Sequence, residues 1–141
     1  MEILITCPIN PTEDKKKVRM ALANLLGKSG FIALENGNVS EISVSLKDRD
    51  ELSFVSQSIQ ETRIIDAARK RLKLNWNGTS TTIHFDKQAA FVKKTHILDD
   101  NQELPPLGSI EMVLIFDSDS EFEEFVKWLT PPTRDGKVIN Y

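Results

Sequence analysis

Phe31-Ile32-Ala33-Leu34-Glu35-Asn36-Gly37-Asn38-Val39-Ser40-Glu41-Ile42-Ser43-Val44-Ser45-Leu46 reads as two extended segments joined by the pair Asn36-Gly37. Asn-Gly favours the tight type I′ hairpin turn, because both central residues must take positive φ. Beyond the turn, Ile42, Val44 and Leu46 alternate with Glu41, Ser43 and Ser45, which predicts a strand with one wet face. A hairpin at this place commits the sheet to antiparallel pairing. Upstream, Ile3, Ile5 and Cys7 alternate through Glu2 to Pro8 and predict a first strand with Cys7 on its apolar side, a buried small hydrophobe. Asn10-Pro11-Thr12-Glu13 predicts a helix start: Asn10 caps, Pro11 suits the first helical position, and Glu13 reaches back to the cap's amide. Val18, Ala21, Leu22 and Leu25 then form an apolar stripe, Gly27 ends the helix, and Lys15-Lys16-Lys17 with Arg19 lie off the stripe.

Downstream of the hairpin, Asp48 and Glu51 have capping-box spacing and predict a short helix with Leu52, Val55 and Ile59 inward. A second helix follows with Ile64, Ala68 and Leu72 at i, i+4 and i+8, and Asp66 four residues before Lys70. Asn77-Gly78 turns the chain into a Thr-rich strand, Thr79 to Phe85. A short turn over Asp86 to Ala90 leads to a further extended segment, Phe91 to Leu98, and then to an acidic, proline-bearing loop from Asp99 to Pro106. Ser109 to Phe116 is the most apolar segment and predicts a central strand buried on both faces. Ser118 with Glu121 caps a last helix whose Phe122, Phe125, Val126 and Leu129 face the core, and Pro131-Pro132 stops it. The predicted order is β-α-β-β-α-α-β-β-β-α: an α+β fold, a mostly antiparallel sheet with helices packed on one face. Residues 1–130 form one domain, and 131–141 a C-terminal tail in which Val138, Ile139 and Tyr141 are the docking candidates.

The 141 residues suit one domain, and 40% hydrophobic with 28% charged residues is ordinary for a globular chain. The longest apolar run, Met112 to Phe116, is far too short for a membrane span, and the N-terminus lacks the basic and apolar regions of a signal peptide. A single cysteine, Cys7, excludes an internal disulfide and a cysteine-rich zinc site. These features predict a cytoplasmic protein without a cofactor.

Net charge is -3, but unevenly spread. Residues 60–96 carry 8 Lys and Arg against 3 Asp and Glu, whereas residues 97–141 carry 3 against 10. A basic surface inside an acidic protein is therefore expected. Arg63, Arg69, Lys70, Arg71, Lys73, Lys87, Lys93 and Lys94 are its candidate cations, beside the amide of Gln88. The competing reading is a solvated helix face with locally balanced charge. Aromatic interleaving is thin: Trp76, Phe85 and Phe91 lie near, with both phenylalanines expected in the core. Any nucleic-acid contact should thus go to phosphate and shape rather than to splayed bases.

Catalytic patterns are absent. Gly27-Lys28-Ser29-Gly30 superficially matches a GxxG or phosphate loop, but it follows a helix and leads to a strand, so a helix C-cap and turn explain it. His84 and His96 are the only histidines; neighbouring strands would bring them together, yet without carboxylates at fixed spacing they make a poor metal site. No serine sits in a nucleophile elbow, and Glu123-Glu124 do not face each other on a helix. An enzyme is not expected, and no membrane or small-molecule partner is evident.

Four segments together resemble a known group: Pro8-Ile9-Asn10-Pro11-Thr12-Glu13-Asp14, Arg63-Ile64-Ile65-Asp66-Ala67-Ala68-Arg69, Asp86-Lys87-Gln88-Ala89-Ala90-Phe91-Val92 and Leu107-Gly108-Ser109-Ile110. In this order, up to about Trp128, they resemble the archaeal Uncharacterised Protein Family 201, placed with predicted RNA-binding proteins. The resemblance implies an archaeal, intracellular protein with a fold similar to ribosomal protein L-five. Two departures stand out: Asp86 replaces the family's asparagine, and Lys93 stands where the family has glycine. For Lys87 to Ala90, the resemblance leaves two readings: Lys87 and Gln88 on RNA backbone, or a helix packed closely over small alanines with Gln88 serving buried backbone groups. Two functions are carried forward, a non-catalytic RNA-binding or ribonucleoprotein-associated protein, and a protein-interaction module, most simply a homodimer through a sheet edge or the helix-free sheet face.

Overall fold

The structure is a computed structural model; it describes residues 1–27, 41–98 and 108–133, and the backbone of 33–35, 134 and 137–138. Five strands, β1 (Glu2–Pro8), β2 (Ala33–Glu35), β3 (Glu41–Leu46), β4 (Ser80–Asp86) and β5 (Ser109–Ile115), form one sheet in the order β2-β3-β1-β5-β4. Every pairing is antiparallel. Register makes the alternation of each strand coincide with that of its neighbour. Leu46, Ile3, Leu114 and Thr81 lie across from one another in one row, and Val44, Ile5, Met112 and Ile83 in the next. All eight are buried. The Thr81 hydroxyl is satisfied there by donating to the Leu72 carbonyl at 2.6 Å.

Helices α1 (Lys15–Leu26), α2 (Ser53–Glu61), α3 (Ile65–Leu74), α4 (Lys87–Phe91) and α5 (Asp119–Leu129) cover that buried face. Their inward residues follow the sequence pattern: Val18, Ala21, Leu22 and Leu25 on α1, Val55 and Ile59 on α2, and Phe122, Phe125, Val126 and Leu129 on α5 are buried. Ser118 caps α5 by accepting from the Glu121 amide at 3.1 Å, as its spacing predicts. On α3 the buried stripe is Ile65, Ala68 and Leu72, one residue off at its start, because Ile64 is spent as the residue before the helix. The opposite sheet face carries Leu4, Thr6, Glu111, Val113, Thr82 and His84, and no helix among the described residues lies over it.

Several expectations are corrected. Phe91 to Leu98 is not a strand: the Asp86 carboxylate accepts from the Gln88 and Ala89 amides at 2.9 and 3.2 Å and starts helix α4, which two alanines then sustain. Only Ile97 returns to the sheet, bridging Phe85, with Asp86 N–H donating to His96 and Leu98 N–H to His84, each at 2.9 Å. The first helix begins at Lys15 with Asp14 as its cap; Asn10 to Glu13 closes a separate turn ahead of it. Asp48 caps a 3₁₀ turn, Arg49–Leu52, that runs into α2. Strand β5 is interior in the sheet, but only one of its faces is fully buried. Past Pro131-Pro132 the chain makes a two-stranded ribbon of β6 (Thr133–Arg134) and β7 (Lys137–Val138). The Asn36-Gly37 turn, residues 28–30 of the glycine loop, the acidic loop 99–106, Leu107, Ile139 and Tyr141 lie outside the described residues.

Candidate nucleic-acid interface

The candidate cations divide by what already holds them. Lys87 is 3% exposed, and its Nζ donates to Glu13 Oε1 at 2.7 Å and to the Pro8 carbonyl at 2.9 Å. Glu13 Oε1 also accepts from the backbone and side-chain amides of Asn10, at 3.0 and 2.9 Å. Burial works to raise the Glu13 carboxyl, but the bonds from Lys87 and Asn10, with the Lys87 charge, outweigh it and hold the group below the ordinary carboxylate range. Glu13 therefore does reach back to Asn10, as its spacing predicts, but the result is a polar knot joining the turn before α1 to the start of α4. Cys7 lies close enough to feel both charges; burial pushes its thiol up to about 12, with Lys87 opposing and Glu13 adding, so it is no nucleophile near neutral pH.

Arg69 is also engaged. Its guanidinium donates to the carbonyls of Thr130 and Pro131 at 3.1 and 2.6 Å and to Asp66 at 3.1 Å. Asp66 in turn accepts from the Thr133 hydroxyl at 2.6 Å, so the expected Asp66–Lys70 pair gives way to a clamp on the chain after α5. Arg71 is buried, 8% exposed. Lys87, Arg69 and Arg71 are thus built into the fold.

Arg63, Lys70, Lys73, Gln88, Lys93 and Lys94 are exposed. Lys73 lines a groove with Trp76, Glu123 and Lys127, in which an acid offsets the cations. Lys93 and Lys94 line a different groove of about 290 Å³ between the ends of α1 and α4 and the start of α2, with Asn24, Phe54 and Ser58. Gln88 lies in a third place, an apolar cleft of about 670 Å³ between α1 and α4 that includes Lys17, Phe91 and Val92, with the Lys87–Glu13 pair on its wall. The structure brings together Lys93 and Lys94, but places Lys73 and Gln88 in other grooves.

Backbone geometry marks two of these residues. Among the described residues the only non-glycines at positive φ are Arg63, at 59°, and Lys93, at 63°. Both close a helix C-terminus. Arg63 N–H donates to Gln60 and Ile64 N–H to Ile59 after α2; Lys93 N–H donates to Ala90 and Lys94 N–H to Ala89 after α4. Glycine is the usual residue in such closures, and a side chain there costs roughly 1–2 kcal/mol.

Aromatic side chains also redistribute. Phe85 is in the core as expected, but Phe91 is 38% exposed. Trp76 is stacked on Phe122, centroids 4.1 Å apart, with its indole N–H 3.3 Å from Asp119. Phe54, which carries no motif in the sequence, is 46% exposed and lies in the groove of Lys93 and Lys94. Its position between the inward Leu52 and Val55 is the one signal that could have found it. Of the histidines, His84 sits on the open sheet face with Nε2 3.4 Å from Glu111, and His96 is exposed. Among the described residues no group of three or more His, Cys, Asp or Glu is arranged to hold a metal ion. No helix among them is long and apolar enough to cross a membrane.

These features define a small antiparallel α+β protein whose helix layer presents lysines and half-exposed rings. A family model described as RNA binding matches residues 2–115. A UPF0201 protein of Metallosphaera sedula is 36% identical over 97% of this chain and 92% of its own length. One of Pyrococcus horikoshii is 30% identical over 98% and 95%. The chain belongs to the archaeal UPF0201 family. Its fold is similar to the crystal structure of a UPF0201 protein from Methanococcus jannaschii, with a TM-score of 0.79 at 27% identity over 99% of this chain and all of that one. A more distant DUF54 protein of Archaeoglobus fulgidus shares the fold, with a TM-score of 0.70 at 17% identity over 92% and 96%.

Proposed function

We propose that the protein is a non-catalytic RNA-binding or ribonucleoprotein-associated protein that contacts phosphate and shape, with Arg63, Lys70, Lys73, Lys93 and Lys94 as its cations and Gln88 as an accessory amide. The observation that carries this reading is that the two left-handed helix closures not filled by glycine both carry cations, Arg63 and Lys93, where a side chain with work to do at the surface offsets the strain. The family match to an RNA-binding description supports it. Lys87 and Arg69 leave the binding set because a buried ion pair and carbonyl contacts occupy them, and Arg71 leaves it because it is buried. The antiparallel sheet with helices on one face supports a fold of the ribosomal protein L-five type.

The test is titration into a labelled structured RNA by fluorescence anisotropy at several salt concentrations. Four or five phosphate contacts give a log–log salt slope of roughly -4. Charge reversal at Lys93 and Lys94 should flatten it. Absence of binding at low salt would overturn the reading. A homodimer through the helix-free sheet face is the second reading, favoured by Leu4, 38% exposed beside Val113. A monomer by sedimentation at micromolar concentration would remove it.

A further inference from the structure

We infer that the groove formed by Phe54, Lys93 and Lys94 is a subsite for single-stranded RNA, in which one unpaired base stacks on the Phe54 ring and the two lysines hold its flanking phosphates. This rests on the proposed RNA binding but changes its mode, from shape alone to a stacked base. Three observations converge on the site.

The first is the ring itself. Phe54 is half exposed at the first turn of α2, and it is not loose there. Gly27, at φ 74°, ends α1 directly against it; a Cβ at Gly27 would lie 2.3 Å from Phe54 Cγ. The ring therefore rests on glycine backbone, positioned by the end of α1 while almost half its surface meets water. An aromatic platform is sequence-tolerant, because every base has a π-face. Among the described residues the other rings compete poorly: the partly buried Trp128 ring already carries the Arg49 guanidinium, 5.4 Å from its centroid. Trp76 is stacked on Phe122, Phe85 is buried, and Phe91 faces the apolar cleft.

The second is the charge. Lys93 and Lys94 lie in the same groove, together with Ser58, Thr95 and Asn24. Asn24 Nδ2 donates to the carbonyls of Ala90 and Phe91 at 3.0 and 3.1 Å, fixing the end of α4 to α1. The lysines are thus carried on a turn held in place. Among the described residues no carboxylate lines this groove, in contrast to the Lys73 groove with its Glu123. A cationic, hydroxyl-bearing groove with one exposed ring matches a phosphate–base unit.

The third is the backbone. Lys93 occupies a left-handed position that glycine would take without strain. Lysine at a helix C-terminus gains from the helix dipole, but α4 has only five residues and a correspondingly small one. Keeping a lysine there favours a use for its side chain.

The experiment uses the whole protein with two probes, a labelled oligouridylate about ten nucleotides long and a fully paired RNA duplex of matching length. Phe54→Ala should weaken oligouridylate binding about 5- to 150-fold, the range for loss of one stacked base. It should leave duplex binding unchanged. Phe54→Leu keeps apolar cover over Gly27 without a π-face and should show the same selective loss, so the result does not depend on the alanine variant folding. Lys93→Gly should raise the melting temperature by relieving strain, yet weaken oligouridylate binding and reduce the salt slope by about 1. Unchanged oligouridylate affinity in Phe54→Leu and Lys93→Gly would overturn the inference. Wild-type binding to duplex but not to oligouridylate would overturn it too, leaving the proposed RNA binding intact. Binding to neither probe at low salt, nor to structured RNA, would overturn both.

Discussion

Replacing Lys87 by Met tests whether this lysine holds the fold or meets a ligand. Methionine keeps most of the buried stem and removes the ammonium, so the change isolates the charge. In the folded protein the ammonium lies 2.7 Å from Glu13 Oε1 and 2.9 Å from the Pro8 carbonyl, and the side chain is 3% exposed. Removing one partner of a buried ion pair costs roughly 3–5 kcal/mol, because the other charge stays buried without compensation. Glu13 is 13% exposed and retains both Asn10 amides, so it is not wholly abandoned. The lower end of the range, about 3 kcal/mol, is the expected loss. For a chain of 141 residues that corresponds to a fall in Tm of about 10 °C. Urea denaturation should show a lower midpoint with unchanged m, and RNA affinity measured well below the new Tm should match wild type. A double-mutant cycle with Glu13→Gln should return a coupling energy above about 1 kcal/mol. A loss under about 1 kcal/mol, or weakened RNA binding at unchanged stability, would refute the structural role and return Lys87 to the binding set.

The same knot makes stability depend on acid. Because the folded Glu13 carboxyl is held below the ordinary carboxylate range, the contribution is fully present above that range and is lost as pH falls through the lowered folded value; urea midpoints in Glu13→Gln should lack this acid-side component. Gly27→Ala places a Cβ 2.3 Å from Phe54 Cγ at a φ of 74°, so it should lower stability by about 2 kcal/mol or more, and hydrogen exchange should rise first at the end of α1. Arg69→Met removes the donors to Thr130 and Pro131 and should free the chain after α5, seen as faster amide exchange there with a loss of about 1–2 kcal/mol; unchanged exchange would refute the clamp.

Much of the fold was legible because it is written in local period. Alternation in Ile3, Ile5 and Cys7, and in Ile42, Val44 and Leu46, survives intact as two adjacent buried strands, since a one-residue slip would turn every side chain over. Ser118 and Glu121 act as their spacing predicts. Failures came where one local signal had two uses. Asn10 to Glu13 has the chemistry of a capping box, but it closes a turn four residues before the cap that α1 uses, and Glu13 is shared with a lysine 74 positions away. Phe91 to Leu98 has strand composition, but the Asp86 carboxylate starts a helix first and only Ile97 regains the sheet. The basic segment was legible as charge and not as surface. Arg69, Arg71 and Lys87 have partners or burial that depend on elements far along the chain, so composition counted them with the exposed cations.

That division gives the binding reading its physical content. Within residues 60–96, the cations Lys87 and Arg69 maintain the architecture and are poor ligands because their donors are already placed, and Arg71 is withdrawn by burial. The exposed ones gain little for the fold, and at Arg63 and Lys93 they add strain to it. A surface lysine contributes little to stability through solvated pairs, so strain at Lys93 is not offset by any ordinary surface contact. The helix that carries it begins at Asp86, is anchored through Lys87 to Glu13, and is tied at its end by Asn24. A short helix of five residues has no intrinsic stability to hold such a turn. The buried knot holds the start of α4, and the asparagine tie at its end sets where Lys93 and Lys94 stand relative to Phe54, which makes Asn24 the positioning residue of the groove it lines. On this logic Asn24→Ala should widen the distribution of the α4 turn and weaken oligouridylate binding while leaving both lysines and the ring in place, whereas Lys93→Gln and Lys94→Gln, which remove the charges but keep the side chains, should weaken binding without touching the melt.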